Sequence, residues 1–288
     1  MNTITDKSFE GECALFGIQD TRLFRATFLP GESPVKHARN IIASHCQFRG
    51  KYPLWHNTHL VIEDCDFSAE ARAAIWYSDN VTMKHCRVDA PKMFREVSGL
   101  VVEDTVFPDA AEFLWNCSDV TFRRVEVSHG DYIFMNGRNI RIDDFSLQGN
   151  YSFQGTRDVV IRNARIDSKD AFWNSENVTV IDSVITGEYP GWHSRHLRLI
   201  NCTITGTQPL CYATDRMMEN CIMRDADLCF EYSTLNADIC SEVISIKNPV
   251  GGTIRVQKIG EIIIDEFCPI PGGCEIIETS GVTYASSI

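Results

Sequence analysis

The sequence predicts an all-β fold, a single-stranded right-handed parallel β-helix: a solenoid of about thirteen coils of 19–21 residues. Three observations carry that prediction. One phrase recurs at this period along nearly the whole chain, its apolar residues alternate, and rows of turn-forming residues bracket it. The phrase reads turn residue, apolar, any, apolar, any, Asn/Asp-like, small, any, apolar. Residues 177–185 and 196–204 spell it most plainly. Self-similarity at such a period marks a repeat architecture.

The alternation decides the element type. Ile62, Met83, Val102, Phe122, Ile142, Ile161, Val180 and Leu199 stand three residues before the small position, and Phe48, Phe67, Val88, Phe107, Val127, Leu147, Ile166, Ile185 and Ile204 two after it. A period of two belongs to a strand with one buried face. A single unit cannot bury that face alone, but stacked coils cover one another. Like positions then form ladders ~4.8 Å apart, the spacing of paired strands. Leucine-rich repeats need a leucine and asparagine pattern, and left-handed hexapeptide helices a six-residue sub-period; the chain has neither.

Two rows supply the corners. The first is Asp20, Asn40, His59, Asn80, Gly99, Asp119, Asn139, Asp158, Asn177, His196 and Asp215; the second is His45, Asp64, His85, Asp104, Asp144, Asn163, Asp182, Asn201 and Asn220. Asn, Asp and Gly accept left-handed backbone and bond locally, which suits tight corners. Asn80, Asn177 and Asn201 therefore read as corner residues, although each stands in an Asn-x-Thr phrase. The small position carries Cys46, Cys65, Cys86, Cys202, Cys221 and Cys240, expected as an interior stack of reduced, inert thiols. Their spacing runs along a ladder and offers no tetrahedral metal cluster. Cys268 and Cys274 bracket a Pro/Gly-rich loop, where a disulfide stays open. Residues 1–13 read as an N-terminal cap, 14–265 as coils and 266–288 as a C-terminal cap or tail of one domain.

The third stretch of each coil is the informative one for function. Five residues before the first corner lies an apolar row, Leu54, Ile75, Phe94, Leu114, Phe134, Phe153, Phe172, Gly191, Leu210 and Cys229, expected to point inward. Two before the corner lies a row of mostly small residues ending in Ala213 and Tyr232. An odd separation between two inward rows requires a bend. At that bend one row collects all five tryptophans, Trp55, Trp76, Trp115, Trp173 and Trp192, and the next holds His56, Tyr77, Asn174, His193, Tyr212 and Glu231. Stacking brings Asp170, Trp173, Asn174, Glu188, Tyr189, Trp192, His193, Tyr212, Asp227 and Glu231 to one side. Aromatic rings beside carboxylates and amides suit a saccharide, and two carboxylates ~5–9 Å apart suit glycosidic chemistry. In that reading His193, Glu188, Glu231 and Asp170 are the candidate catalytic groups, His193 because an imidazole side chain is the usual proton carrier at physiological pH. Trp173, Asn174, Tyr189, Trp192, Tyr212 and Asp227 are the candidate ligand contacts.

Composition narrows the partners. The formal charge of −12 disfavours binding to phosphate backbones or anionic lipid. No apolar run approaches ~18 residues, so no membrane span is expected. Met1 to Lys7 show no basic segment followed by an apolar one, and a cytoplasmic location is expected. No phosphate loop or glycine-rich strand–helix turn indicates a nucleotide, so no cofactor is expected.

Several phrases resemble a known family: Gly31-Glu32-Ser33-Pro34, Tyr52-Pro53-Leu54-Trp55, Ala90-Pro91-Lys92-Met93-Phe94-Arg95-Glu96, Lys169-Asp170-Ala171-Phe172-Trp173-Asn174 and Phe230-Glu231-Tyr232-Ser233. They are similar to a bacterial family, domain of unknown function 3737, within the pectin-lyase-like β-helix superfamily. The resemblance implies a β-helix and supplies no activity. Polygalacturonase-like hydrolases of that superfamily need Asn-Thr-Asp, Asp-Asp, His-Gly and Arg-Ile-Lys in order. Here Asp143-Asp144 follows His129-Gly130, and the other two phrases are missing. Two functions therefore stand side by side: a carbohydrate-binding or carbohydrate-active β-helix, a glycan hydrolase or lyase if an enzyme, and a non-catalytic interaction or assembly protein, a homo-oligomer included, using the same aromatic strip.

Overall fold

Alternating apolar residues at a 19–21 residue period do build parallel strands in register. The structure, a computed structural model, describes residues 1–280. It is an all-β parallel solenoid of about 15 turns with no α-helix among the described residues. The chain divides into two compact units, residues 1–159 and 160–288. In the first, Gln19–Phe24, Arg39–Ser44, Thr58–Glu63 and Asp79–Lys84 pair one after another, each with the next. In the second, Val180 pairs with Leu199 and Leu199 with Met218. Ile142, Ile161, Val180 and Leu199 are all buried, as the alternation demands.

The turn count exceeds thirteen because the ends are built as coils. Asn2–Thr5 pairs in parallel with Gln19–Phe24, and Cys274–Glu278 with Gly251–Ile263. Neither terminal strand carries the full phrase, so both read from sequence as caps. No helix of the described residues is long and apolar enough to cross a membrane.

Every residue of both corner rows takes positive φ, from Asp20 at 48° to Asn220 at 50°. Arg124 fills the place between Asp104 and Asp144 in the second row, also with positive φ. Corner side chains bond along the ladder: Asn201 Nδ2 donates to Asp182 Oδ1 at 2.9 Å and Asn220 Nδ2 to Asn201 Oδ1 at 2.9 Å. Where arginine takes a corner, it clasps the acid below; Arg124 reaches both Asp104 carboxylate oxygens.

The register slips by one residue after Tyr212, and three expectations are corrected there. Phe230, not Cys229, has the left-handed backbone of Leu210 and donates its N–H to Pro209, as Leu210 does to Pro190. Tyr232 moves to the row of Tyr212, and Ser233 takes the small inward position. Glu231 therefore joins the tryptophan row. A further irregularity between Met218 and Cys221 puts Ile239 beside Cys221. Ile239 is buried in the cysteine ladder and Cys240 is left exposed, so the stack has five buried members, not six. Cys268 and Cys274 are free thiols.

Candidate functional site

The third stretch of each coil is not a strand. Three residues in it take left-handed backbone at every second position: Asp170, Phe172 and Asn174 in one coil, Tyr189, Gly191 and His193 in the next, Gln208, Leu210 and Tyr212 in the third. Such a conformation is strained for Phe, Leu and Tyr. Hydrogen bonds between coils offset the strain, because these N–H groups point alternately up and down the stack. Asp170 donates to Glu188 O at 2.9 Å, Gly191 to Ala171 O at 2.7 Å and His193 to Cys211 O at 3.3 Å. The middle residue turns inward, burying Phe172 and Leu210, while Asn174, His193 and Tyr212 are exposed. The bend demanded by the two inward rows is this run of left-handed residues.

The tryptophan beside the bend lies at the rim, neither buried nor free. Trp192 donates its indole N–H to Gln208 O at 2.7 Å. Its ring stands 5.6 Å from Trp173, 5.0 Å from Tyr189 and 5.0 Å from Tyr212. His193 stacks on Tyr212 at 5.3 Å and lies 5.1 Å from Trp173. The structure thus brings Trp173, Tyr189, Trp192, His193 and Tyr212 into one aromatic cluster. The rings around Trp192 meet it tilted or edge to face, and Trp173, Tyr189 and Trp192 stay half-buried. Asn174, Glu188, His193 and Tyr212 are exposed along that rim.

The carboxylates are not gathered around His193. Glu188 pairs with Lys169 Nζ at 3.3 Å. Glu231 is 8% exposed, pairs with Lys247 Nζ at 2.8 Å and accepts a bond from the Tyr212 hydroxyl at 3.4 Å. The Tyr212 phenol is raised by desolvation first and by the Glu231 charge second. Asp227 accepts the Ser245 hydroxyl at 2.6 Å and the Leu228 N–H at 2.9 Å. Among the described residues His193 has no ion pair with an acid.

Asp170 differs from the other acids. It is 7% exposed, and no described residue donates a hydrogen bond to its carboxylate. Desolvation raises its pKa, the Lys169 charge opposes that, and Glu188 adds to it. It occupies in its coil the place that Tyr189 occupies against Trp192 one coil later.

Sequence reasoning overlooked Lys247 and Ser245, which tie down Glu231 and Asp227. Both lie in the long strand Thr234–Lys247, beyond the point where the phrase weakens, and no spacing rule reached them. Among the described residues no group of three or more His, Cys, Asp or Glu side chains could hold a metal. An open groove of about 660 Å³ lies elsewhere, lined by Ile222, Arg224, Glu242, Ile244 and Lys258 among others; none of the candidate residues lines it.

The repeat, the corner rows and the left-handed third stretch run through nearly the whole chain, and so does one family match. The family described as "Protein of unknown function (DUF3737)" matches residues 2–277. The chain belongs to that family. No curated protein matches the chain. Among solved structures it is similar to the tailspike protein of Escherichia coli bacteriophage HK620, with 9% identity, TM-score 0.47 and coverage of 96% of this chain and 74% of that one. It is also similar to a mannuronic acid specific polysaccharide family 6 lyase from human gut microbiota, with 10% identity, TM-score 0.37 and coverage of 98% and 83%. A third is the surface adhesin PfbA of Streptococcus pneumoniae, with 11% identity, TM-score 0.36 and coverage of 80% and 71%. No ligand and no chemistry passes from these likenesses to this family member.

Proposed function

We propose that the protein is a non-catalytic saccharide-binding β-helix, and that its binding face is the cluster of Trp173, Tyr189, Trp192, His193 and Tyr212 with Asn174 and Asp170 beside it. The observation that carries the reading is the composition of that rim. Half-buried Trp173, Tyr189 and Trp192 stand beside exposed Asn174, His193 and Tyr212 in three successive coils. A hydrated ligand with apolar and hydroxyl-bearing surfaces matches such a face. A protein interface would call for a drier, more apolar centre.

The acids support binding over hydrolysis. Glycosidic cleavage uses one carboxyl as acid and a second as nucleophile or base. Glu188, Glu231 and Asp227 are each held by a cation or a donor, which leaves Asp170 as the one candidate acid without a bonded donor among the described residues. A single acid serves better as an acceptor for a ligand hydroxyl or amine.

A glycan array followed by calorimetry tests the reading. The wild type should bind at least one glycan class without releasing cleavage products. Trp192→Ala should weaken that binding about tenfold or more, the effect of ~1.4 kcal/mol. Glu231→Gln should leave affinity within about threefold. A protein that binds no glycan on the array loses the saccharide assignment; a cleaved oligosaccharide makes it an enzyme.

A further inference from the structure

The strand Arg216–Arg224 opens with a residue that does not belong to its row. Arg216 points into the solenoid at the position held by Val178, Leu197 and Leu235 in other coils of the same unit. It is 2% exposed. Its Nη2 donates to Gly191 O and, at 2.9 Å, to Ser194 Oγ. Those two residues flank Trp192 and His193, so the guanidinium reaches across the interior to the inner side of the bend. Gly191 stands where neighbouring coils carry Phe172 and Leu210, and a side chain there would meet Leu197 and Leu210 at 2.9 Å, so the arginine approaches bare backbone.

The remaining N–H groups have nowhere to go. Nε and Nη1 are buried without a hydrogen-bond partner among the described residues. No carboxylate of the described residues pairs with Arg216, and the surrounding rows are aliphatic or small. Burial pushes its pKa down to about 9, which still leaves it a cation at neutral pH. The Cys211 thiol nearby is itself pushed up to about 12 by burial, so it is neutral there and supplies no counter-charge. A buried cation with no counter-charge costs several kcal/mol. An ordered water would satisfy the N–H groups but leave the charge.

We propose that a monovalent anion of halide size sits inside the second unit against Nε and Nη1 of Arg216 and is its counter-charge. The site is internal and structural. It is separate from the saccharide face, although both use the segment 191–194, and it stands whether or not that face binds a sugar.

The test compares melting temperatures of dialysed protein in potassium chloride and in potassium gluconate at equal ionic strength. An anion bound only by the folded state raises the melting temperature by mass action. At a hundredfold excess over its Kd the rise is about 5 °C for a chain of this size. The wild type should show the rise in chloride and in bromide but not in gluconate, and Arg216→Leu should not show it. Crystals grown in bromide should give an anomalous peak within contact distance of the Arg216 guanidinium, a measurement that needs no variant. Equal melting temperatures in the two salts, an undiminished chloride effect in Arg216→Leu, or a water-sized peak without anomalous signal beside Arg216 would overturn the proposal.

Discussion

The two units carry the same third face and furnish it differently. In the first, the rim row is a closed stack: Lys36 lies 5.7 Å over Trp55, Trp55 stacks on Trp76 at 5.0 Å and 9°, and Arg95 is sandwiched 4.3 Å from Trp76 and 4.5 Å from Trp115. The next row repeats the order, with His37 on His56 at 4.7 Å and His56 on Tyr77 at 5.1 Å. In the second unit Trp173 and Trp192 are tilted by 32°, and Cys211 then interrupts the row. Tyr212 leans onto Trp192 from the adjacent row. The first face is laced with cations and the second with acids. From Lys36 to Trp115 each coil supplies a ring or a cation, and Trp55 and Trp76 lie almost face to face. In the second unit two adjacent coils each supply a tryptophan and the rings are tilted, with Tyr189 and Tyr212 also packed on Trp192. The broken ladder, not the perfect one, is the better candidate for binding.

The largest test asks whether the units differ only on that face. Val102 and Val180 occupy the same inward row, one in each unit. Val102→Asp and Val180→Asp should each cost about 3 kcal/mol or more, since each buries an unpaired charge. Urea denaturation of both variants measures it. A cost in one variant alone would mean that the cores differ as well, and the comparison would fail.

Next come the rings themselves. Trp76→Ala removes a stacking partner of Trp55 and one side of the sandwich around Arg95, whose Nε is already buried without a partner among the described residues. It should cost about 3 kcal/mol, and Trp192→Ala, from a tilted cluster, about 2 kcal/mol. Equal costs would erase the distinction between closed and open ladders.

Two acids sharpen the comparison through pH. Glu103 in the first unit is lowered by hydrogen bonds from Lys84 first and Arg123 second. Its stabilisation is present above the ordinary value of 4.5 and lost as pH falls through the lower folded value. Asp170 is raised from 3.8 by desolvation. Its preference for the protonated form favours folding below 3.8, and that advantage is lost as pH rises through the folded value. At pH 7 Glu103→Gln should therefore lower the melting temperature, and Asp170→Asn should raise it. Both differences should shrink toward zero on acidification. Thermal melts across that range read the signs, and a lower melting temperature for Asp170→Asn at pH 7 would mean that the carboxylate has a donor after all.

The smallest effect leaves stability untouched. Cys240 is exposed, whereas Cys221 is buried and pushed up to about 11 by desolvation. A thiol reagent should label Cys240 in the native protein at least ten times faster than Cys221, because access and thiolate fraction both favour it. Comparable rates would restore Cys240 to the interior ladder.

Much of the architecture was legible in the residues, and the reason is locality. The alternation of Val180 and its row, the corner asparagines and aspartates, and the inward row of Phe94, Phe134 and Phe172 are each decided within one coil and repeated. Period and turn chemistry therefore fixed class, core and corners before any partner was known. Partners obey no such rule. Which cation holds Glu231 depends on the coil above, and a one-residue change in coil length moves the next side chains of that coil to a different row. One such shift carried Glu231 into the tryptophan row, and a second exchanged Cys240 for Ile239. Lys247 on Glu231, Ser245 on Asp227 and the buried guanidinium of Arg216 were likewise settled only by tertiary structure, because each joins residues from different coils whose relative register no single coil encodes.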